Sequence, residues 1–318
     1  MPWHDEAWQR VLDAEKAGRL GHALLLVGAA GLGKGRFATG LARHLLCTAG
    51  EAEKTAASHL AGGCGHCSSC RSMDQGAHPG YQRLSLDNLD AKQTIPVDAV
   101  RQVCANLALT SAGARARVLI IDRADDLNAK GFNALLKTLE EPAAGSYLLL
   151  LTEALLDLPA TIRSRCQQLR FAVPSQNQAE EYLRASVPDA TLDDRRRALA
   201  ASLDAPCHAQ LLLEQPELLA QYVEWTHAFQ SVLAGQQQAT LPQPPSQRMQ
   251  AMEFARHAGA LAWQGARQLM ATGNNPAPML RVAREAAESV QKIEANAQPR
   301  LTLESFLVAL ALARTDAG

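Results

Sequence analysis

Residues 28–35 read Gly28-Ala29-Ala30-Gly31-Leu32-Gly33-Lys34-Gly35, the spacing of a loop that binds phosphate. The glycines let backbone N–H groups approach phosphate oxygens at a helix N-terminus, and Lys34 adds a positive charge near the outer phosphates. The eighth position normally holds Ser or Thr, whose hydroxyl coordinates Mg²⁺; here it is Gly35, which has no side-chain oxygen. Further on, Val118-Leu119-Ile120-Ile121-Asp122 reads as a strand that delivers a metal-binding aspartate. The next residue is Arg123, where many such ATPases place a glutamate that activates water. The nucleotide-binding set Gly28, Gly31, Gly33, Lys34 and Asp122 is therefore nearly whole, while two groups needed for hydrolysis are missing. Such a loop is compatible with bound ATP, but not with well-placed Mg²⁺.

A second cluster has different chemistry. Cys64-Gly65-His66-Cys67-Ser68-Ser69-Cys70 contains two overlapping C-x₂-C steps, each of which turns two thiolates toward one tetrahedral ion. Cys47, at the end of the helix after the phosphate loop, is the natural fourth ligand. The chain has seven cysteines, and an odd number argues against a disulfide framework. A structural Zn²⁺ held by Cys47, Cys64, Cys67 and Cys70 is the expectation. His66, between two ligands on a tight knuckle, should point outward. Cys104 and Cys207 fall in apolar helical stretches and are expected in the core.

These residues need elements to position them. Residues 23–27 form a short apolar strand before the loop, and Phe37, Ala38, Leu41, Ala42 and Leu45 recur at helical spacing after it. Strands are predicted over 81–86, 117–122, 147–151 and 168–173, and helices over 95–109 and 128–141. Continuous apolar strands alternating with helices imply a parallel sheet covered on both faces. Beyond Pro174 the strand signal disappears. Helices are predicted over 175–186, 192–203, 247–272, 276–296 and 302–315, with a polar, proline-rich connection over 235–245. The expected fold is an α/β phosphate-loop domain with the cysteine module over 1–172, a small helical lid over 173–214, and an all-α C-terminal domain over 215–318.

Composition sets further bounds. The 318 residues are 47% hydrophobic and 20% charged, as in a globular protein with a core. A net charge of −1 with 4% aromatic residues argues against a basic surface for nucleic acid and against base-stacking platforms. The N-terminus lacks the pattern of a signal peptide and no apolar run reaches membrane-span length, so the chain reads as cytoplasmic.

Ser164-Arg165-Cys166 and the run Asn133-Ala134-Leu135-Leu136-Lys137-Thr138-Leu139-Glu140-Glu141-Pro142, taken with the loop and the cysteines, resemble the clamp-loader branch of the AAA+ ATPases. The resemblance covers residues 20–172 by motif, and beyond them it rests on the layout of lid and helical collar. Among clamp-loader subunits the chain is similar to those with a defective ATPase site of their own. The resemblance implies a pentameric ring with ATP-hydrolysing gamma or tau subunits and a delta subunit, which opens a sliding clamp and places it on primed DNA. It implies that Arg165 reaches ATP bound by the neighbouring subunit, and that Thr152 occupies the position of a polar sensor. A neighbour's guanidinium stabilises charge on the transferred phosphoryl group, and its planar fork suits phosphate oxygens. Where active relatives carry a sensing arginine in the lid, residues 203–208 have none.

Other readings fit the same residues less completely. An active gamma/tau-type ATPase would have to work around Gly35 and Arg123. A stand-alone phosphate-loop kinase would leave the S-R-C triplet and the helical C-terminal third unexplained. A zinc-containing nucleic-acid-binding module meets the neutral charge and the scarcity of aromatics. Arg165 could be a surface arginine in a salt bridge, and Thr152 a strand-end residue that caps a turn.

Overall fold

The computed structural model describes residues 1–50, 62–86, 94–108, 116–233 and 243–315. Most of the proline-rich connection expected over 235–245 lies outside the described residues. The chain divides into two compact units, Met1–Tyr182 with Ala205–Cys207, and Leu183–Asp204 with His208–Gly318.

The first unit opens with α1 (Asp5–Lys16), then alternates β1 (Ala23–Val27), α2 (Lys34–Leu46), the short α3 (Ser68–Asp74), β2 (Tyr81–Leu84), α4 (Val97–Ala108), β3 (Arg117–Ile121), α5 (Ala129–Glu140), β4 (Ser146–Thr152), α6 (Ala160–Arg163) and β5 (Gln167–Arg170). The five strands form one parallel sheet in the order β2-β3-β4-β1-β5. Alternate side chains of each strand enter different cores. Leu24, Leu26, Val118 and Ile120 pack with Trp8, Phe37, Leu41 and Leu45. Ala23, Leu25, Leu119 and Ile121 pack with Val100, Leu107, Phe132 and Leu135. α1 and α2 therefore cover one face, and α4 and α5 the other. Each fully buried Leu or Phe here contributes about 2 kcal/mol.

The second unit is helical. α7 (Gln176–Ser186) runs into it, followed by α8 (Leu192–Ala201), α9 (Pro206–Glu214), α10 (Pro216–Leu233), α11 (Arg248–Ala271), α12 (Ala277–Glu294) and α13 (Pro299–Thr315). Its core centres on Trp225, Phe229, Phe254, Val282, Ile293 and Phe306, with Trp225 and Phe254 meeting edge-on at 5.1 Å. α11 buries Ala251, Ala255, Ala258 and Ala262, small residues that let α12 approach closely. A Cβ on Gly259 would lie 3.1 Å from that of Ala286. Among the described residues, no helix is long and apolar enough to cross a membrane.

The sequence boundaries shift where local chemistry intervenes. α8 stops two residues short of the expected end, because Leu203 and Asp204 take left-handed φ values of 57° and 60° that a helix cannot continue through. Asn128 is the cap of α5 rather than its first residue: its side chain accepts from the Gly131 N–H at 3.0 Å. α1, α3 and α6 have no counterpart among the predicted helices, and no predicted range covers α9 or α10.

Candidate functional site

β1 leads directly into the phosphate loop. Gly28 donates its N–H to the Thr152 carbonyl at 3.2 Å, and Phe171 donates to the Val27 carbonyl at 2.8 Å, so the loop starts from the middle of the sheet. No side chain fits at Gly28, where a Cβ would stand 2.8 Å from the Phe171 carbonyl oxygen. Gly33 caps α2 with φ +83°, and a Cβ there would meet the Met1 Sδ at 2.6 Å. The loop is thus held in the bend that points the N-terminus of α2 outward. Lys34 is 8% exposed, and its ammonium donates to the Gly28 and Ala29 carbonyls at 2.6 and 2.7 Å. Burial lowers its pKa, while Glu153, Asp125 and Asp122 act in the opposite direction.

A cavity of about 650 Å³ opens over the loop at the carboxyl ends of the strands, and Gly31, Gly33, Lys34, Asp122 and Thr152 all line it. The structure therefore brings the expected nucleotide-loop residues together, along with several that the sequence reading did not single out. A Cβ on Gly35 would stand 3.3 Å from Arg83 Nη2 and 3.9 Å from Asp122 Oδ2. Arg83, on the edge strand β2, pairs with Asp122. Arg123 adopts a left-handed φ of 57° and pairs with Asp126 at 3.3 Å. Thr152 is fully buried and donates its hydroxyl to Asp125, whose other oxygen accepts the Glu153 N–H at 2.9 Å. Thr152 thus lines the cleft and also ties the end of β4 to the turn after β3. Cys207, part of the first unit, is half-buried in the cleft wall rather than in the core, because its N–H donates to the Gly31 carbonyl at 2.9 Å and holds the residue against the loop. Cys104 is buried, as expected.

Arg165 is not among the residues lining this cleft. It follows α6, beside a buried Cys166 whose thiol burial pushes up to about 11. Its guanidinium donates to the Thr161 carbonyl at 3.0 Å and pairs with Glu140 at 2.8 Å. Both side chains are substantially exposed, at 37% and 51%, so the pair holds the arginine loosely at the surface.

The cysteine cluster is compact. The sulfurs of Cys47, Cys64, Cys67 and Cys70 all lie within 4.8 Å of one another, and those of Cys47 and Cys67 are 3.9 Å apart. A tetrahedral ion with metal–sulfur bonds of about 2.3 Å requires sulfur separations of roughly 3.8 Å, so this donor set fits one metal ion. Backbone N–H groups already point at the sulfurs. Cys64 donates to Cys47 Sγ and Cys67 to Cys64 Sγ at 3.3 Å, and Cys70 to Cys67 Sγ at 3.4 Å, an arrangement that suits thiolate charge. The module sits directly on α2: a Cβ on Gly62, where φ is +55°, would fall 1.9 Å from the Gly40 carbonyl oxygen. Ser69 donates to the Leu46 carbonyl at 2.6 Å and accepts from His78 Nε2 at 2.7 Å, which fixes α3 against the end of α2. His66 is exposed and outside the cluster.

Comparison with known proteins bears on these features. Residues 3–175 match the family model described as DNA polymerase III, delta subunit. The chain is 36% identical over 221 residues to DNA polymerase III subunit delta' of Pseudomonas aeruginosa, across 68% of this chain and 64% of that protein. It is 34% identical over 213 residues to DNA polymerase III subunit delta' of Escherichia coli, across 67% and 60%. It is 35% identical over 182 residues to DNA polymerase III subunit tau of Salmonella typhimurium, across 57% and 26%. The aligned region therefore spans less than two thirds of the length of each of these relatives. Among solved structures, a gamma subunit-related protein of Thermotoga maritima aligns with TM-score 0.42 and 12% identity, over 96% of this chain and 99% of that one. The match to the family model extends over more than half of the sequence and takes in the phosphate loop, the four cysteines and Arg165, so the chain belongs to the DNA polymerase III delta subunit family.

Proposed function

We propose that this chain is a delta-prime-type subunit of the bacterial DNA polymerase III clamp loader. In this reading it joins gamma or tau and delta subunits in a pentameric ring that loads the sliding clamp onto primed DNA during replication. It is a non-polymerising subunit of the DNA-directed DNA polymerase holoenzyme, it acts in the cytoplasm, and its own ATP hydrolysis is negligible. Residues 1–172 form the AAA+ domain, 173–214 the lid, and 215–318 the collar through which the ring assembles. Cys47, Cys64, Cys67 and Cys70 hold a structural Zn²⁺, which neutralises the thiolates and ties the module to α2.

The observation that carries the reading is the separation of Arg165 from its own chain's cleft. An arginine half-exposed at the surface, held by a carbonyl and an exposed glutamate, is available to a neighbour's triphosphate. The cleft itself lacks both the metal-binding hydroxyl at Gly35 and a glutamate at Arg123. In this reading Arg165 supplies charge in trans, and Thr152 transmits the state of the cleft through Asp125.

Reconstitution tests this. The chain is expected to co-purify with gamma or tau and delta subunits, and the complex to hydrolyse ATP in response to clamp and primed DNA. The isolated chain should show no turnover. Failure to form the complex would overturn the reading. The retained glycine frame and the likeness to tau favour an active gamma/tau-type ATPase as the second reading. Steady-state hydrolysis by the isolated chain, abolished by Lys34→Ala, would establish that alternative.

A further inference from the structure

β2 lies beside β3, with Arg83 in register with Ile120, so the Arg83 side chain reaches the carboxyl end of β3, where Asp122 begins the next turn. The guanidinium pairs with Asp122 Oδ2 and stands 3.3 Å from where a Cβ on Gly35 would be. In a phosphate loop that uses metal, the hydroxyl at the eighth position and the strand-end aspartate hold Mg²⁺ between them, directly or through water. Here the first oxygen is missing and the second is engaged by a guanidinium that fills the space between them. Mg²⁺ requires near-octahedral oxygen ligands at about 2.0–2.1 Å, and these residues do not fit it. The cleft is nevertheless cationic: Lys34, Arg36, Arg83 and Arg123 line it against Asp122 and Glu153.

We propose that this cleft binds the phosphate chain of a nucleoside di- or triphosphate without a divalent cation, with Arg83 in the place the metal would take. A guanidinium has five N–H donors in a fixed fork, enough to serve one carboxylate and phosphate oxygens together. Anchored to Asp122, it bridges strand end and ligand as Mg²⁺ would, and it is charged at every physiological pH. Lys34 and the N-terminus of α2 supply the remaining positive field. Mg²⁺ then acts as an antagonist. It neutralises the ligand's oxygens before they reach the cleft, and a chelated ion is repelled by Arg83 when the ligand arrives. In a phosphate loop with Ser or Thr the same ion strengthens binding. The site would be a nucleotide-occupied but chemically silent position.

The test is calorimetric titration of the isolated full-length chain with ATP, ADP and tripolyphosphate. Each is added as a metal-depleted sodium salt and again with excess Mg²⁺. No chelator is added, so the cysteine cluster is undisturbed. The sodium ligands should bind at least fivefold more tightly than their Mg²⁺ complexes. Arg83→Gln should weaken sodium ATP at least tenfold, with Arg83→Lys intermediate. Equal binding of tripolyphosphate and ATP supports a site for the phosphate chain alone, and stronger binding of ATP adds recognition of the nucleoside. The Mg²⁺ comparison needs no variant, so it decides the matter even if Arg83→Gln is unfolded by thermal melting. Three results would overturn the proposal: no binding at millimolar ligand, tighter binding of Mg·ATP, or unchanged affinity in a folded Arg83→Gln protein. Because the isolated chain is used, these outcomes are independent of whether it assembles with clamp-loader subunits.

Discussion

The cysteine cluster and the phosphate cleft lie at opposite ends of one helix, α2, and differ in the donors that they offer a metal. At its C-terminal end four sulfurs converge within 4.8 Å, with backbone N–H groups already aimed at them. At its N-terminal end the loop keeps its glycines and lysine, but the hydroxyl at position 35 is gone and an arginine engages the aspartate. One end has a complete donor set and fits a metal. The other keeps the frame, has no hydroxyl at position 35 and has its aspartate paired with Arg83. A loop motif reports where a ligand sits, whereas the identity of two or three side chains around it reports whether chemistry follows.

The sharpest way to break this contrast is to remove the metal from the complete end. Chelation, or Cys70→Ser, should release about one Zn²⁺ per chain and lower the melting temperature of the N-terminal unit by about 10 °C. That corresponds to ~3 kcal/mol in a domain of this size. Metal analysis and calorimetry check this, and an unchanged melt would make the cluster a set of ordinary thiols.

The glycines of the two ends should differ next. Gly62→Ala drives a Cβ into the Gly40 carbonyl at a left-handed φ, and relief requires backbone movement; a loss of about 2–4 kcal/mol is expected. At Gly35→Ser the Cβ meets the tip of the flexible Arg83 side chain at 3.3 Å and Asp122 Oδ2 at an ordinary 3.9 Å, so the change should cost less than about 1 kcal/mol, readable by denaturant titration. Equal costs would mean that the loop position is as tightly packed as the module.

The helical unit offers a smaller, pH-dependent contrast. His257 is buried, with Nε2 2.8 Å from the Thr226 hydroxyl. That hydroxyl donates to the Tyr222 carbonyl, so the imidazole N–H is the donor. Burial first, and then the neighbouring His208, lower its pKa from 6.5 to about 4. The folded state thus keeps His257 neutral, while the unfolded chain takes up a proton below pH 6.5. Stability of this unit should be constant above that pH and fall by on the order of 2 kcal/mol as pH drops toward 4. His257→Gln keeps a donor for Thr226 and cannot titrate, so the slope of denaturant midpoint against pH should flatten. An identical slope would assign the acid sensitivity to other groups. Smallest of all, Arg165→Ala should change stability by less than about 0.5 kcal/mol, because its pair with Glu140 is exposed. A larger loss in thermal melting would make that pair structural.

The alternation of strand and helix through the first 172 residues was legible because the buried strands are short apolar runs and α2 keeps its 3.6-residue stripe from Phe37 to Leu45. The loop glycines and Lys34 were legible because they lie on one turn, Cys64, Cys67 and Cys70 because they lie on one knuckle, and Asp122 and Cys47 because each directly follows a recognisable apolar strand or helix. Arg83 was not, although it sits on a predicted strand. Its meaning depends on β2 lying beside β3, and strand order is a long-range property with no signature in the strand itself. The pairing of Glu140 with Arg165 was not legible either, because it joins the end of α5 to the segment between α6 and β5. Cys207 looked like core because its stretch is apolar, but the hydrogen bond from its N–H to the Gly31 carbonyl places it on the cleft wall.

Single-turnover ATP hydrolysis by a reconstituted complex tests the central claim most directly. The claim is that this chain's cleft is chemically silent and its Arg165 works at a neighbour's. The complex carries this chain as wild type, Arg165→Ala, Arg165→Lys or Lys34→Ala. Arg165→Ala should slow hydrolysis about tenfold or more at one site of the ring while the complex assembles normally. Arg165→Lys should not restore the rate, since a point charge does not reproduce the planar fork. Both should exceed any effect of Lys34→Ala. A large loss from Lys34→Ala with unchanged kinetics in Arg165→Ala would contradict the account and make this chain a motor subunit.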